Sequence, residues 1–247
     1  MNVLFSVQDH VARVTIDRPE RHNAVDQAIE AELIRIWETI EKDRDIRVAV
    51  LTGAGARAFC TGADMKGRSG ASGLEYWAQP RPGGFGAIAL RDTLDVPVIA
   101  RVNGFALGGG MEMMLGCDIV VASADATFGL PEPRLGRLAL DGGIALLARR
   151  IPHVQAMGML LTGRRIGADE ALRYGLVNEV VAPDDLDQAV GALGRRYPGL
   201  RTPLGARDQA DGAGGRARHR QGRADAASAG ADRGAAIVRS GRGRQRL

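Results

Sequence analysis

Three consecutive glycines, Gly108-Gly109-Gly110, constrain this chain more than any other feature. Residues without a β-carbon let two stretches of backbone touch, and they accept turns that other residues resist. The run joins the apolar segment PVIARV (97–102) to the apolar MEMML (111–115), so a strand, a tight turn and a helix are predicted in close succession. A second glycine turn, FCTGADMKG at 59–67, follows another apolar run, RVAVLT at 47–52. Strands feeding glycine turns and helices predict a layered α/β fold, with backbone N–H groups left open at the turns.

The remaining pattern agrees with that class. Residues 11–16 (VARVTI) alternate as a strand does and are closed by Asp17-Arg18-Pro19. Asp26 stands where a helix cap belongs, and Ile29, Leu33, Ile36, Trp37 and Ile40 then recur at spacings of three and four. Residues 117–122 read as a strand, and helices are expected around 142–150, 153–162 and 168–174, with Gly163 and Gly175 as stops and a cap signal at Ala168-Asp169-Glu170. The segment 67–86, rich in Gly, Ser and Pro, reads as a loop or broken helix. With aromatic residues at 4%, the core must be aliphatic.

Charge divides the chain in two. The net charge of +4 hides a first part, 1–190, with 20 basic and 25 acidic side chains. The second part, 191–247, has thirteen Arg, no Lys and four Asp. Of its 57 residues, 37 are Arg, Gly or Ala and six are Leu, Ile or Val, so it has no period and little apolar surface to offset ordering. A disordered basic tail is expected there. A basic tail can bind RNA, but this one has one Tyr, no Phe and no regular RGG repeat, which argues against a nucleic-acid partner. The change at Gly191 also reads as a gene translated out of frame: synonymous codons for 191–211 can be chosen so that the next frame encodes a helix-compatible peptide.

Cys60 and Cys117 form no CxxC pair and the four histidines are scattered, so neither a metal site nor a disulfide framework is expected. No charged leader with an apolar core opens the chain, and no run approaches the ~20 apolar residues of a membrane span. A cytoplasmic protein without a membrane partner is the expectation. The triple glycine is not a dinucleotide motif, because Met113 occupies the last glycine position of GxGxxG, and no GxxxxGK occurs.

Two carboxylates accompany the triple-glycine turn. Glu112 lies in GGGMEM among Met111, Met113, Met114 and Leu115, where a buried carboxylate needs a partner or a task. A glutamate in the first turn of a helix is otherwise an ordinary surface residue. Glu132 lies between Pro131 and Pro133, which fix its backbone; the simpler reading pairs it with Arg134 at the surface.

The two glycine turns, with Glu112 and Glu132 twenty residues apart, resemble the enoyl-CoA hydratase (crotonase) family over residues 1–190. The resemblance implies a crotonase-type ββα spiral for 1–190, with 191–247 standing in place of the family's C-terminal helical region. It implies an oxyanion hole from the amides of Ala63 and Gly109, with Glu112 activating water and Glu132 delivering a proton to the α-carbon of a 2-enoyl-CoA. Thr61, Asp64, Met65 and Lys66 are then substrate-binding candidates, and Arg18-Pro19 with Asn23-Ala24 resembles the family's motif near the CoA. Asp141 stands where many members have a Pro-Gly turn, as in relatives resembling carnitinyl-CoA dehydratase, and is a candidate third carboxylate. The resemblance implies an acyl-CoA substrate, no cofactor beyond the CoA of that substrate, no metal, and self-association as a trimer or hexamer. Isomerase or other acyl-CoA chemistry of the same family, an inactive truncated member, and RNA binding through the tail are the alternatives.

Overall fold

The computed structural model describes residues 2–64, 81 and 83–199, with side chains as far as Arg195. Met65, Lys66, most of the 67–86 segment and the expected tail from 200 onward lie outside the described residues.

The strands in chain order are β1 (Val3–Gln8), β2 (Val11–Ile16), β3 (Val48–Gly53), β4 (Ala58–Cys60), β5 (Val98–Val102), β6 (Phe105–Leu107), β7 (Ile119–Ser123), β8 (Thr127–Gly129), β9 (Arg165–Gly167) and β10 (Glu179–Val181). The helices are α1 (Gln27–Lys42), α2 (Gly109–Gly116), α3 (Gly143–Arg150), α4 (His153–Thr162), α5 (Ala168–Arg173) and α6 (Leu186–Gly199). One sheet has the order β1-β2-β3-β5-β7-β10 and the other β4-β6-β8-β9. From β3 to β8 the chain therefore alternates strictly, one strand in the large sheet and the next in the small one. Each step advances both sheets by one parallel strand, β3 to β5 to β7 and β4 to β6 to β8. That advance is the spiral which the resemblance implied. The glycine turns lie along the small sheet, where it meets the helices.

Burial on both faces explains the near-continuous apolar runs of the central strands. Along β3, Ala49 and Leu51 join the main core while Val48 and Val50 face a second cluster with Ile99, Val121, Leu186 and Val190. Helix α1 covers the main core with the five side chains that its sequence stripe named, all buried. Each such burial is worth about 1.5–3 kcal/mol before ordering costs. Asp26 caps it as expected, its Oδ1 accepting the Ile29 N–H at 2.9 Å.

Two expectations are corrected here. Helix α6 runs through Gly191 to Gly199, so the change in composition does not end regular structure. Leu186, Val190 and the partly buried Leu193 fall at helical spacing and close the second cluster, and Arg101 grips Asp187 with two hydrogen bonds at 2.8 and 3.0 Å. The signal expected to cap α5 is not used: Gly167 holds the cap position without a side-chain bond. Glu170 instead accepts from Arg164 Nη1 at 2.8 Å and from the Tyr174 hydroxyl at 2.5 Å.

Candidate active site

The two glycine turns meet. Gly108, at φ 54°, ends β6 and starts α2, which opens on Gly109. Gly110 lies so close to β4 that a β-carbon there would stand 2.0 Å from the Cys60 carbonyl oxygen. One added at Gly62 (φ 92°) would stand 3.1 Å from the Gly109 nitrogen. Glycine is thus required on both sides of the contact, which brings the β4 turn against the first residue of α2. The helix begins two residues before the sequence expectation of Met111, and this places Gly109 at its N-terminus.

Both candidate oxyanion amides are outside the regular pairing. Gly109 is the first residue of α2, so its N–H has no acceptor within the helix. Around Ala63, the bridge to Val25 uses Val25 N–H to Gly62 O and Asp64 N–H to Val25 O, both at 2.9 Å, and leaves the Ala63 amide aside. The positive end of the α2 dipole adds to the potential at Gly109.

Glu112 is 2% exposed. Its Oε1 accepts the Gly143 N–H at 2.9 Å, the amide that opens α3. Burial pushes its carboxyl well above the ordinary 4.5, and the nearby charges of Asp141 and Glu132 push it further. Glu132 begins a 3-10 turn, Glu132–Leu135, framed by the two prolines. A β-carbon at Gly108 would touch its Oε1 at 2.9 Å, so the carboxyl lies against the backbone that starts α2. Its Oε2 is buried without a hydrogen-bond partner, and burial raises its affinity for a proton against the opposing pull of its own N–H and Arg137. The simpler surface pairing fails: Arg134 Nε donates to the Thr162 carbonyl instead.

Other candidates are placed as follows. Asp64, 8% exposed, is paired with Arg18 Nη1 at 2.9 Å, and the same guanidinium reaches Asp26 at 3.2 Å. Asn23 is buried and donates to the carbonyls of Ala54 and Ala58 at 3.0 and 2.7 Å, while its Oδ1 accepts the Arg18 N–H. The motif Arg18-Pro19…Asn23-Ala24 thus braces the glycine turn that begins at Phe59 from behind. Thr61 Oγ1 donates to the His22 carbonyl at 3.3 Å. Asp141 is brought to Glu112 as the third carboxylate, and burial raises its proton affinity against the pull of Arg81. Met65 and Lys66 lie outside the described residues.

The sequence reading missed Arg81 and Phe85. Trp37 Nε1 donates to the Gly86 carbonyl at 3.0 Å, and this ties the segment after Gly83 to α1. Phe85 then fills the space beside Gly109, where a β-carbon would come within 2.6 Å of the ring. No motif announces either residue; the nearest sequence signal is the isolated aromatic in a glycine-rich stretch. Cys60 and Cys117 are both buried, and burial pushes the Cys60 thiol up to about 12, so Cys60 supplies no nucleophile.

The sequence profile described as Enoyl-CoA hydratase/isomerase matches residues 6–197. The chain belongs to the enoyl-CoA hydratase/isomerase family. It is 45% identical over 205 residues to (E)-benzylidenesuccinyl-CoA hydratase of Thauera aromatica, a match that covers 80% of this chain and 75% of that one. It is 41% identical over 176 residues to carnitinyl-CoA dehydratase of Escherichia coli K12, covering 71% of this chain and 66% of the relative's length, just under two thirds. Among solved structures, an enoyl-CoA hydratase from Bacillus anthracis superposes with a TM-score of 0.75 at 34% identity, covering 81% of this chain and 78% of that one. A carnitinyl-CoA dehydratase from Mycobacterium avium 104 superposes with a TM-score of 0.73 at 37% identity, covering 81% and 77%. The family's fold is the spiral described above.

Proposed function

We propose that this protein adds water to, or removes it from, a 2-enoyl-CoA thioester. The observation that carries the reading is the packing of Gly62, next to Ala63, against the Gly109 nitrogen at the start of α2, with Glu132 beside Gly108 and Glu112 in the first turn of the helix. In the hydration direction the water oxygen bonds to the β-carbon and gives its proton to Glu112. The C=C electron pair moves to the α-carbon and the thioester oxygen, whose charge the two amides hold. Glu132 then delivers a proton to the α-carbon, and dehydration is the reverse.

The chemistry needs one carboxyl ionised and one protonated. Two carboxylates that repel each other in a dry pocket titrate as a unit and hold one proton where exposed carboxylates hold none. The burial of Glu112 and Glu132 supports that state. The relatives named as a CoA hydratase and a CoA dehydratase support this reaction over isomerisation.

Action on acyl-CoA in lipid metabolism, a cytoplasmic location and assembly as a trimer belong to the same reading; no helix among the described residues is long and apolar enough to cross a membrane. The reading of 191–247 as an out-of-frame product, with 1–190 as the catalytic domain, belongs to the same proposal; the family match runs to 197, and sequencing the gene tests where the frame changes. Turnover is tested by the loss of enoyl-thioester absorbance from crotonyl-CoA. A rate equal to the uncatalysed one overturns the proposal.

A further inference from the structure

One charge cluster at the edge of the site is not required by the hydration chemistry above. Arg81 Nη1 donates to Asp141 Oδ2 at 3.0 Å, and its Nη2 donates to Glu30 Oε2, on α1, at 3.3 Å. Its guanidinium carbon stands 5.7 Å from the centroid of the Phe85 ring, the ring that packs beside Gly109. The three charged side chains are 17%, 13% and 23% exposed for Arg81, Asp141 and Glu30, too enclosed for water to screen them as it does surface pairs. Asp141 is anchored from the same direction, since a β-carbon at Gly84 would stand 3.0 Å from its carbonyl oxygen. Two residues beyond Asp141, the Gly143 amide holds Glu112.

The charged groups around the site form a chain. Glu112, on α2, is faced by Asp141 from the loop before α3 and by Glu132 from the 3-10 turn. Asp141 is faced by Arg81, Arg81 also by Glu30, and Glu132 by Arg137.

We propose that Arg81 is a positioning residue for this site: its guanidinium holds the negative charge on Asp141, and so leaves the shared proton to the Glu112–Glu132 pair. The inference rests on the hydratase reading for its consequence, though not for its electrostatics. Several carboxyl groups in one dry pocket cannot all ionise, and the one nearest a fixed cation takes the charge. With Asp141 charged, a proton is retained on the two glutamates, and that one-proton form is what water addition needs.

The test is the pH profile of kcat/KM with crotonyl-CoA. Arg81→Met removes a positive charge, strengthens proton binding at every carboxyl, and should move both limbs up by about one pH unit. Asp141→Asn removes a negative charge and should move both limbs down by a similar amount. The double variant should return them towards the wild-type positions, and Arg81→Lys, which keeps the charge, should hold them in place at a rate a few-fold lower. Shifts of the same sign in Arg81→Met and Asp141→Asn overturn the proposal. So does an Arg81→Met profile that falls in height without moving.

A second measurement separates this inference from the function. Infrared titration of the ligand-free protein follows the protonated-carboxyl band that disappears in Glu112→Gln. Its midpoint should rise in Arg81→Met and fall in Asp141→Asn. A moving band without crotonyl-CoA turnover sinks the hydratase reading and keeps the electrostatic one; a fixed band with normal turnover does the opposite. Should Arg81→Met fail to fold by circular dichroism, the proposal stands or falls on the Arg81→Lys and Asp141→Asn arms.

Discussion

Glu112 and Glu132 face one site from supports of different construction. Glu112 rises from the first turn of an eight-residue helix packed on all sides, and the opening amide of a second helix holds its oxygen. Glu132 sits in a four-residue 3-10 turn, has a buried oxygen without a partner, and is steered by two prolines rather than by packing. A held carboxylate keeps one position, whereas a partnerless one is ready to meet a substrate hydrogen. The difference suits Glu112 to fixing a water molecule and Glu132 to exchanging a proton with carbon.

Substitution tests that comparison most forcefully. Glu112→Gln and Glu132→Gln should each lower kcat for crotonyl-CoA by about 10²–10⁴-fold. Binding of an unreactive acyl-CoA, followed by calorimetry, should change little. The double variant should be little worse than the poorer single one, because residues that act as a unit are not additive. A fully active single variant would break the comparison at that glutamate.

In the proposed reaction the Ala63 and Gly109 amides would serve both glutamates alike, so removing one should slow the reaction without favouring either. Proline at Gly109 would confuse the result, since any β-carbon there overlaps Phe85. Replacing the Gly109 amide by an ester in a semisynthetic chain deletes the N–H and keeps the shape. A loss of about 10²–10³ in kcat is expected, the size usual for one oxyanion donor. Kinetics unchanged by the ester would assign Gly109 to packing alone.

Stability against pH sharpens the contrast further. Burial raises the proton affinity of Glu112 in the folded chain. Above the ordinary value of 4.5 the unfolded state therefore binds fewer protons than the native one, and stability falls as pH rises. Glu112→Gln removes that cost, so its urea midpoint should exceed the wild type at neutral pH, with the gain vanishing below about pH 4. Glu132→Gln should gain in the same direction and by less, because it is less deeply buried. A Glu112→Gln midpoint lower at pH 7 than at pH 4, relative to wild type, would reverse the sign of the argument.

The smallest effect concerns the turn. Pro133→Ala should cost at most about 1 kcal/mol of stability, through added freedom of the unfolded chain. It should lower kcat a few-fold by loosening Glu132, with no effect on the stability gain of Glu112→Gln. Rates and midpoints for the pair of variants check both halves.

What the sequence made legible follows from how far each signal reaches. Helix α1 was readable to its cap because Asp26 and the five-residue stripe are local and periodic. Strand β2 was readable for the same reason. Strands of three residues, such as β4, β6, β8 and β9, are too short to show a period and are held by neighbours distant in the chain. Helix α6 carried a readable spacing in Leu186, Val190 and Leu193, but the Arg- and Gly-rich composition beside it concealed the pattern. At the site, Ala63 and Gly109 were legible through the resemblance alone, since an amide leaves no mark in a sequence. Arg81 was not legible at all: its partners, Glu30 and Asp141, lie 51 and 60 residues away, and only the fold brings them together.

The central claim is that water, and no other nucleophile or rearrangement, reacts over the paired glutamates. Incubating the protein with crotonyl-CoA in water labelled with oxygen-18 and deuterium tests it directly. The account predicts one oxygen-18 on the β-carbon, one deuterium on the α-carbon and an intact thioester, all lost in Glu112→Gln. Oxygen-18 in a released carboxylate, or a migrated double bond without oxygen-18, would contradict it.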